Sequence, residues 1–226
     1  MGTAHHADMT KAIILGILAF VLALSASRVA QAQGTMTYLS NLGQLSVGSQ
    51  PVGSNSWLAA RFLTGPNRLG YSLDSIQLAM TDASGNPSGF RVMLCSNAPI
   101  VFGPGPVLGT LNGSLSPVSS GIYTYTPASD LTLKPGPYFI VITAGTAVAD
   151  GAYEWSVTST CAPVLTGRWN GDHVLFSSVD GLNWGPGGAG YAQFAISATA
   201  VPEPSILGML ALGGFLAVWH RCKRAL

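Results

Sequence analysis

The chain has 226 residues, with 10 Lys and Arg against 9 Asp and Glu, a formal net charge of +1 and only 8% charged residues. A globular chain usually carries about 25% charge, so the low charge and the absence of a Lys/Arg stripe with interleaved aromatics exclude a nucleic-acid surface. With 28 glycines and 14 prolines, Gly and Pro reach about 19%, above average but short of the roughly 25–30% that signals disorder. The first element in chain order is an apolar run, Ala12–Leu24, after Lys11 and before the small-x-small sequence Ala30, Gln31, Ala32. That order predicts a signal helix with cleavage after residue 32. The run is shorter than the ~20 residues of a comfortable span, and an uncleaved N-terminal anchor is the alternative.

Residues 34–200 read as one domain. Its basic residues are Arg61, Arg68, Arg91, Lys134 and Arg168, five against seven acidic ones (Asp74, Asp82, Asp130, Asp150, Glu154, Asp172, Asp180), a net −2. Apolar residues recur with a period of two. In "SWLAARFLT", "LDSIQLAM" and "GFRVMLCS" one face is apolar: Ile76, Leu78 and Met80 in the second, Phe90, Val92 and Leu94 in the third. "GIYTYTP" follows, then "GPYFIVITAG", apolar on both faces as in a central strand. "AYEWSVTS", "HVLFSS" and "YAQFAISATA" complete the set, and Asp180-Gly181 predicts a hairpin turn before "LNWG". Turn signals such as "ASGNPSG", "FGPGP" and "KPGP" separate the runs. Seven to nine short strands with frequent turns predict an all-β fold, a β-sandwich of jelly-roll-like type.

The last segment, residues 201–226, has three parts. Val201-Pro202-Glu203-Pro204 is stiff because proline fixes φ. Ser205 begins an uncharged apolar stretch to Trp219, which predicts a transmembrane helix over 205–219. Arg221, Lys223 and Arg224 follow and, by the positive-inside rule, place the tail in the cytoplasm and the body outside. Fifteen residues make about 22 Å of helix, short of the ~30 Å hydrocarbon core. A short span suits a transient anchor.

This order of Pro202, Glu203 and Pro204, short span and basic tail resembles the PEP-CTERM sorting signal. The resemblance implies recognition by exosortase, a membrane enzyme of Gram-negative bacteria. It further implies processing near the motif, passage through the inner membrane to the cell surface or extracellular matrix, and an association with exopolysaccharide. An ordinary single-pass anchor is the alternative, and it predicts a longer span. The body resembles a choice-of-anchor R domain through "GSNSWLAARFLTG", "SGNPSGFRVMLCS", "GIYTYTPASDLTLKPGPYFIVITAG" and "GAYEWSVTST" in that order. That resemblance implies a secreted β domain and carries over no catalytic residue.

The remaining constellations are sparse. Cys95 and Cys161 share the outer compartment, whereas Cys222 lies in the predicted cytoplasmic tail. An oxidising compartment favours a Cys95–Cys161 disulfide over two buried thiols. There is no CxxC, hence no expected zinc site, and no metal or other cofactor is expected. His173 is the body's one histidine, and no G-x-S-x-G occurs. Glu154 is the carboxylate to test for hydrolysis, though no second acid is marked as its partner. Trp169 and Trp184 stand in Gly/Asn-rich loops and are the candidates for stacking on sugar rings, whereas Trp57 and Trp155 read as core. The sequence thus predicts a non-enzymatic, exported surface or matrix protein with a structural or adhesive role. A carbohydrate-binding module is the second reading and a secreted hydrolase the third.

Overall fold

A computed structural model describes residues 34–98, 103–160, 164–171 and 174–202. The expected signal helix, the expected span 205–219 and its basic tail lie outside these residues, and among the described residues no helix is long and apolar enough to cross a membrane. Gly34–Val201 is one compact unit, built of fourteen strands. The first seven are β1 (Met36–Ser40), β2 (Ser46–Val52), β3 (Trp57–Leu63), β4 (Tyr71–Gly85), β5 (Arg91–Asn97), β6 (Pro104–Asn112) and β7 (Gly121–Pro127). The others are β8 (Thr132–Leu133), β9 (Pro137–Thr143), β10 (Gly151–Thr158), β11 (Val164–Leu165), β12 (Val174–Ser178), β13 (Gly185–Ala192) and β14 (Phe194–Ala200).

The period-two segments fold as strands for the expected reason. Along β4, Ile76, Leu78 and Met80 are buried while Ser75, Gln77 and Ala79 stand on the other face. On β9 both faces are buried. Ile140 and Ile142 join the main core, and Phe139 and Val141 join a second cluster on the opposite face. β5 splits likewise, with Val92 and Leu94 in the main core and Met93 and Cys95 in the second cluster.

The strands form one antiparallel sheet in the order β11-β1-β14-β4-β7-β6-β5-β9-β3-β12-β13-β10-β2, with β8 paired to the start of β4 off this path. One further pairing changes its shape. The second half of β4 also pairs with β10, Gly85 against Gly151 through Met80 against Trp155. The strands from β4 through β7, β5 and β3 round to β10 therefore close a circuit, and its interior holds the main core, with Trp155, Phe194, Leu78 and Ile140 all below 1% exposed. Closure pairs the strands of the circuit on both sides, and β11 and β2 remain at the two ends of the order.

The circuit turns a corner at Gln193. Before it the chain, as β13, pairs with β10; after it, as β14, the chain pairs with β4 and β1. The buried Gln193 side chain donates to Gln44 O (2.8 Å) and accepts from Ser156 Oγ (2.6 Å). Beside it Asn41 donates to Ala192 O (2.8 Å) and accepts from the Phe194 amide (2.8 Å). Buried polar groups are tolerated where each finds a partner, as these do.

Six strands exceed the sequence expectation: β1, β2, β6, β8, β11 and β13. β6 and β13 occupy Gly/Pro-rich segments, "PGPVLGTLN" and "GPGGAGYA", where strand propensity is low. Neighbours on the sheet hold them in place.

Candidate functional site

The body ends in a clamp. β14 lies between β1 and β4, and its last ladder pair is Ala200 with Tyr71. The next residue is fixed at both backbone groups: Val201 N donates to Gly70 O (3.0 Å), and Asn67 Nδ2 donates to Val201 O (3.0 Å). Asn67 holds its own loop through Oδ1, which accepts from the Leu69 amide (3.0 Å). Gly70 adopts φ 90°, and a Cβ there would lie 2.5 Å from Leu133 O, so this turn requires glycine. Pro202 follows and is exposed. Glu203, Pro204, Arg221, Lys223 and Arg224 lie outside the described residues. The compact unit Gly34–Val201 thus ends at the residue before the first proline of the motif.

Of the two candidate stacking residues, Trp169 is not at the surface. It is 1% exposed and stacks between Tyr38 (centroids 4.9 Å) and Phe62 (5.9 Å), with Tyr71 edge-on at 5.0 Å. The segment from β11 explains this. It pairs with β1 through Leu39 and Leu165, then bridges to β3 through Leu63 and Asn170. Between those attachments Gly167 (φ 63°) and Arg168 (φ 62°) form a tight turn closed by Trp169 N to Thr166 O (3.2 Å). Positive φ at both central residues is the type I′ signature. The turn tips Trp169 into the core, and its buried Nε1–H has no hydrogen-bond partner there.

Trp184 is half-buried. With Trp57 it packs on the second cluster, over Ala59, Met93, Cys95, Phe139, Val141 and Phe176. Its loop joins β12 to β13 as expected, but in six residues rather than two. Asp180 organises it. Oδ1 accepts from the amides of Leu182 (2.8 Å) and Asn183 (2.9 Å) and from Ser178 Oγ (2.9 Å), and Oδ2 accepts from Asn183 Nδ2 (2.9 Å). These donors, the Asn183 amide foremost, hold the carboxyl well below the ordinary carboxylate range.

Cys95 is buried, and burial pushes its thiol up to about 11. Cys161, Asp172 and His173 lie outside the described residues. Glu154 accepts a hydrogen bond from Ser49 Oγ (2.8 Å). No group of three or more His, Cys, Asp or Glu side chains able to hold a metal occurs among the described residues.

A further feature lies between β2 and β13. The β12–β13 ladder passes from Val174–Tyr191 to Phe176–Pro186, so Gly187–Gly190 are looped out. The bulge faces β2 across an open groove of about 610 Å³, whose floor and walls include Val47, Gln50, Val157, Leu175 and Tyr191. Gln50 Nε2 donates to Ala189 O (3.3 Å) across it. A Cβ at Gly188 would run into the Gln50 amide. Apart from Tyr191 the lining has no ionisable side chain. The signal for such a groove is a cluster of glycines inside a strand, which marks a bulge or a close approach.

The protein family described as the PEP-CTERM protein-sorting motif matches residues 200–224. That motif is the sorting signal recognised by exosortase, and it implies export to the cell surface of a Gram-negative bacterium. No curated protein matches the chain.

Proposed function

We propose that this is an exosortase-processed surface or matrix protein whose body serves a structural or adhesive role in extracellular polysaccharide. In this reading residues 1–32 are removed as a signal peptide and 205–219 hold the chain in the inner membrane until processing. The body then leaves as a sandwich-like, jelly-roll-like domain of the choice-of-anchor R kind. The observation that carries the reading is the junction. The sorting motif begins at residue 200, and among the described residues the last that the fold holds by hydrogen bonds is Val201. Cleavage beyond it leaves all fourteen described strands in the released body.

The test is intact mass and C-terminal sequencing of the protein from its own host, fractionated into membrane and matrix. A matrix form ending near Pro202–Pro204 is expected. A full-length form through Leu226 found only in the membrane would make the tail a plain anchor. The same mass measurement with and without reductant tests for a Cys95–Cys161 disulfide, whose reduction would add two hydrogens.

The body works without catalysis in this reading, and Glu154, with Ser49 bound to its carboxylate, stabilises β2 against β10. Unchanged hydrolysis of host polysaccharide in Glu154→Gln would support that assignment, and a loss of hydrolysis would reverse it. A second reading, a carbohydrate-binding module, is favoured by the β2–β13 groove. An uncharged lining with an aromatic ring, an amide and looped-out peptide groups suits a neutral sugar. Binding on a glycan array that Tyr191→Ala abolishes would support it, and Trp184→Ala would test the other candidate surface.

A further inference from the structure

The body's two ends leave it side by side. β1 and β14 are antiparallel neighbours with Met36 opposite Ala198, so Gly34 and Val201 stand at the same end of the sheet. Three loops surround that exit. Loop 65–70 clamps Val201. Residues 132–136 adjoin it, since Lys134 Nζ donates to Leu69 O (3.0 Å) and Thr64 Oγ1 donates to Lys134 O (2.8 Å). The turn at 166–169 also adjoins it, since a Cβ on Gly65 would meet Gly167 O. Each loop carries one exposed basic residue: Arg68, Lys134 and Arg168. These are three of the body's five basic residues, gathered around the point where the chain enters the sorting signal.

Among the described acidic residues, Asp74 and Asp130 stand nearest this rim and Asp82 and Asp150 lie away from it, whereas Asp172 and Glu203 lie outside the described residues. Asp74 stands three residues along β4 from Tyr71 and accepts from Thr199 Oγ1 (2.8 Å). Asp130 flanks the same level, because Leu73 N donates to Leu131 O. Asp82 accepts from the Ser120 amide, and Asp150 adjoins the Gly85–Gly151 pair, both toward the far end of β4. Fifteen strand residues set the two ends of β4 up to about 50 Å apart.

Only Pro202, Glu203 and Pro204 separate Val201 from the predicted span. Three residues reach about 10 Å at most, comparable to the headgroup layer and to a Debye length of roughly 8–10 Å. We propose that the rim carrying Arg68, Lys134 and Arg168 docks the unprocessed chain on an anionic lipid leaflet, with the sorting motif held at headgroup depth. This rests on reading 205–219 as a membrane span. The lipid, rather than an acidic polysaccharide, is the occupant because the tether brings the rim to it. Docking would present Pro202–Pro204 in one posture to a membrane enzyme, and cleavage would release the rim.

The experiment uses the full chain in lipid nanodiscs, either zwitterionic or with about 30% phosphatidylglycerol. Amide hydrogen exchange is read in 65–70, 132–136 and 166–169. Each basic residue near an anionic surface favours docking roughly five-fold. Exchange of these loops is therefore expected to slow at least five-fold in anionic discs and to recover at about 0.5 M salt. Loops at the far end of β4 are expected to stay unchanged. The slowing is expected to vanish in R68E/K134E/R168E and to weaken in R68Q/K134Q/R168Q, with β9 amides reporting that each variant is folded. Equal exchange in the two disc types would overturn the proposal. So would slowing that survives charge reversal, or slowing given by soluble polygalacturonate and not by lipid. The C-terminal mass reads processing independently, so a failure of docking and a failure of sorting are told apart.

Discussion

Two loops of this body look alike in sequence and end in different places. "TGRWN" and "DGLNWG" each set a tryptophan among glycine, asparagine and one charged residue. Trp169 of the first closes one end of the main core, whereas Trp184 of the second lies half-buried over the opposite face of β5, β9 and β3. The difference lies in how each loop is held. The first is attached at both ends to strands, β1 and β3, and its turn is driven into left-handed backbone by those attachments. The second is held by its own side chains, with Asp180 and Ser178 taking up the turn's amides. Tertiary pairing thus places one ring and local capping places the other.

The largest effect expected from this contrast is at Trp169. Trp169→Ala removes a ring packed on three aromatics and is expected to cost about 3–5 kcal/mol in chemical denaturation. Trp169→Phe keeps most of the ring contact and deletes a buried unpartnered N–H, so it is expected to cost considerably less. Trp184→Ala exposes part of the second cluster and is expected to cost about 1–2 kcal/mol. Equal losses at the two tryptophans would break the comparison, since both rings would then be core.

The same contrast explains what could be read from the sequence. β4, β5, β7, β9 and β10 were visible because alternation is a local signal, written in residues such as Ile76, Leu78 and Met80. The sorting motif was visible for the same reason, being linear from Val201 to Arg224. β6 and β13 were not, because glycine and proline carry no strand signal and their place depends on β5, β10 and β12. Trp169 gave no sign of burial, since Tyr38, Phe62 and Tyr71 are distant in sequence. The groove at Gly187–Gly190 was hidden because it arises from a skipped register, which no single segment encodes.

A smaller effect tests the strain in the first loop. Arg168 has a side chain at φ 62°, where an L-residue with a Cβ is disfavoured by roughly 1–2 kcal/mol. Asparagine tolerates that backbone better. Arg168→Asn is expected to raise the denaturation midpoint, gaining up to about 1 kcal/mol. An unchanged or lowered midpoint would mean that the arginine side chain gives back what its backbone costs.

The smallest and most specific effect belongs to the second loop. Asp180 is depressed in the folded state by amide and hydroxyl donors that a neutral carboxyl satisfies less well. Its unfolded value is near the ordinary ~3.9. A depressed carboxylate contributes stability that is fully present above the unfolded value and is lost as pH falls through the folded one. The melting temperature of the native chain should therefore exceed that of Asp180→Asn by a constant margin above about pH 5, and the margin should shrink below about pH 4. Trp184 donates to Gly181 O inside the same turn (3.2 Å), so its fluorescence should change over the same acid range. Trp169, held by β1 and β3, should not respond until the whole body unfolds. A margin that ignores pH would mean that the loop is held by the packing of Trp184 alone, and the distinction between a strand-held and a side-chain-held tryptophan would narrow to burial.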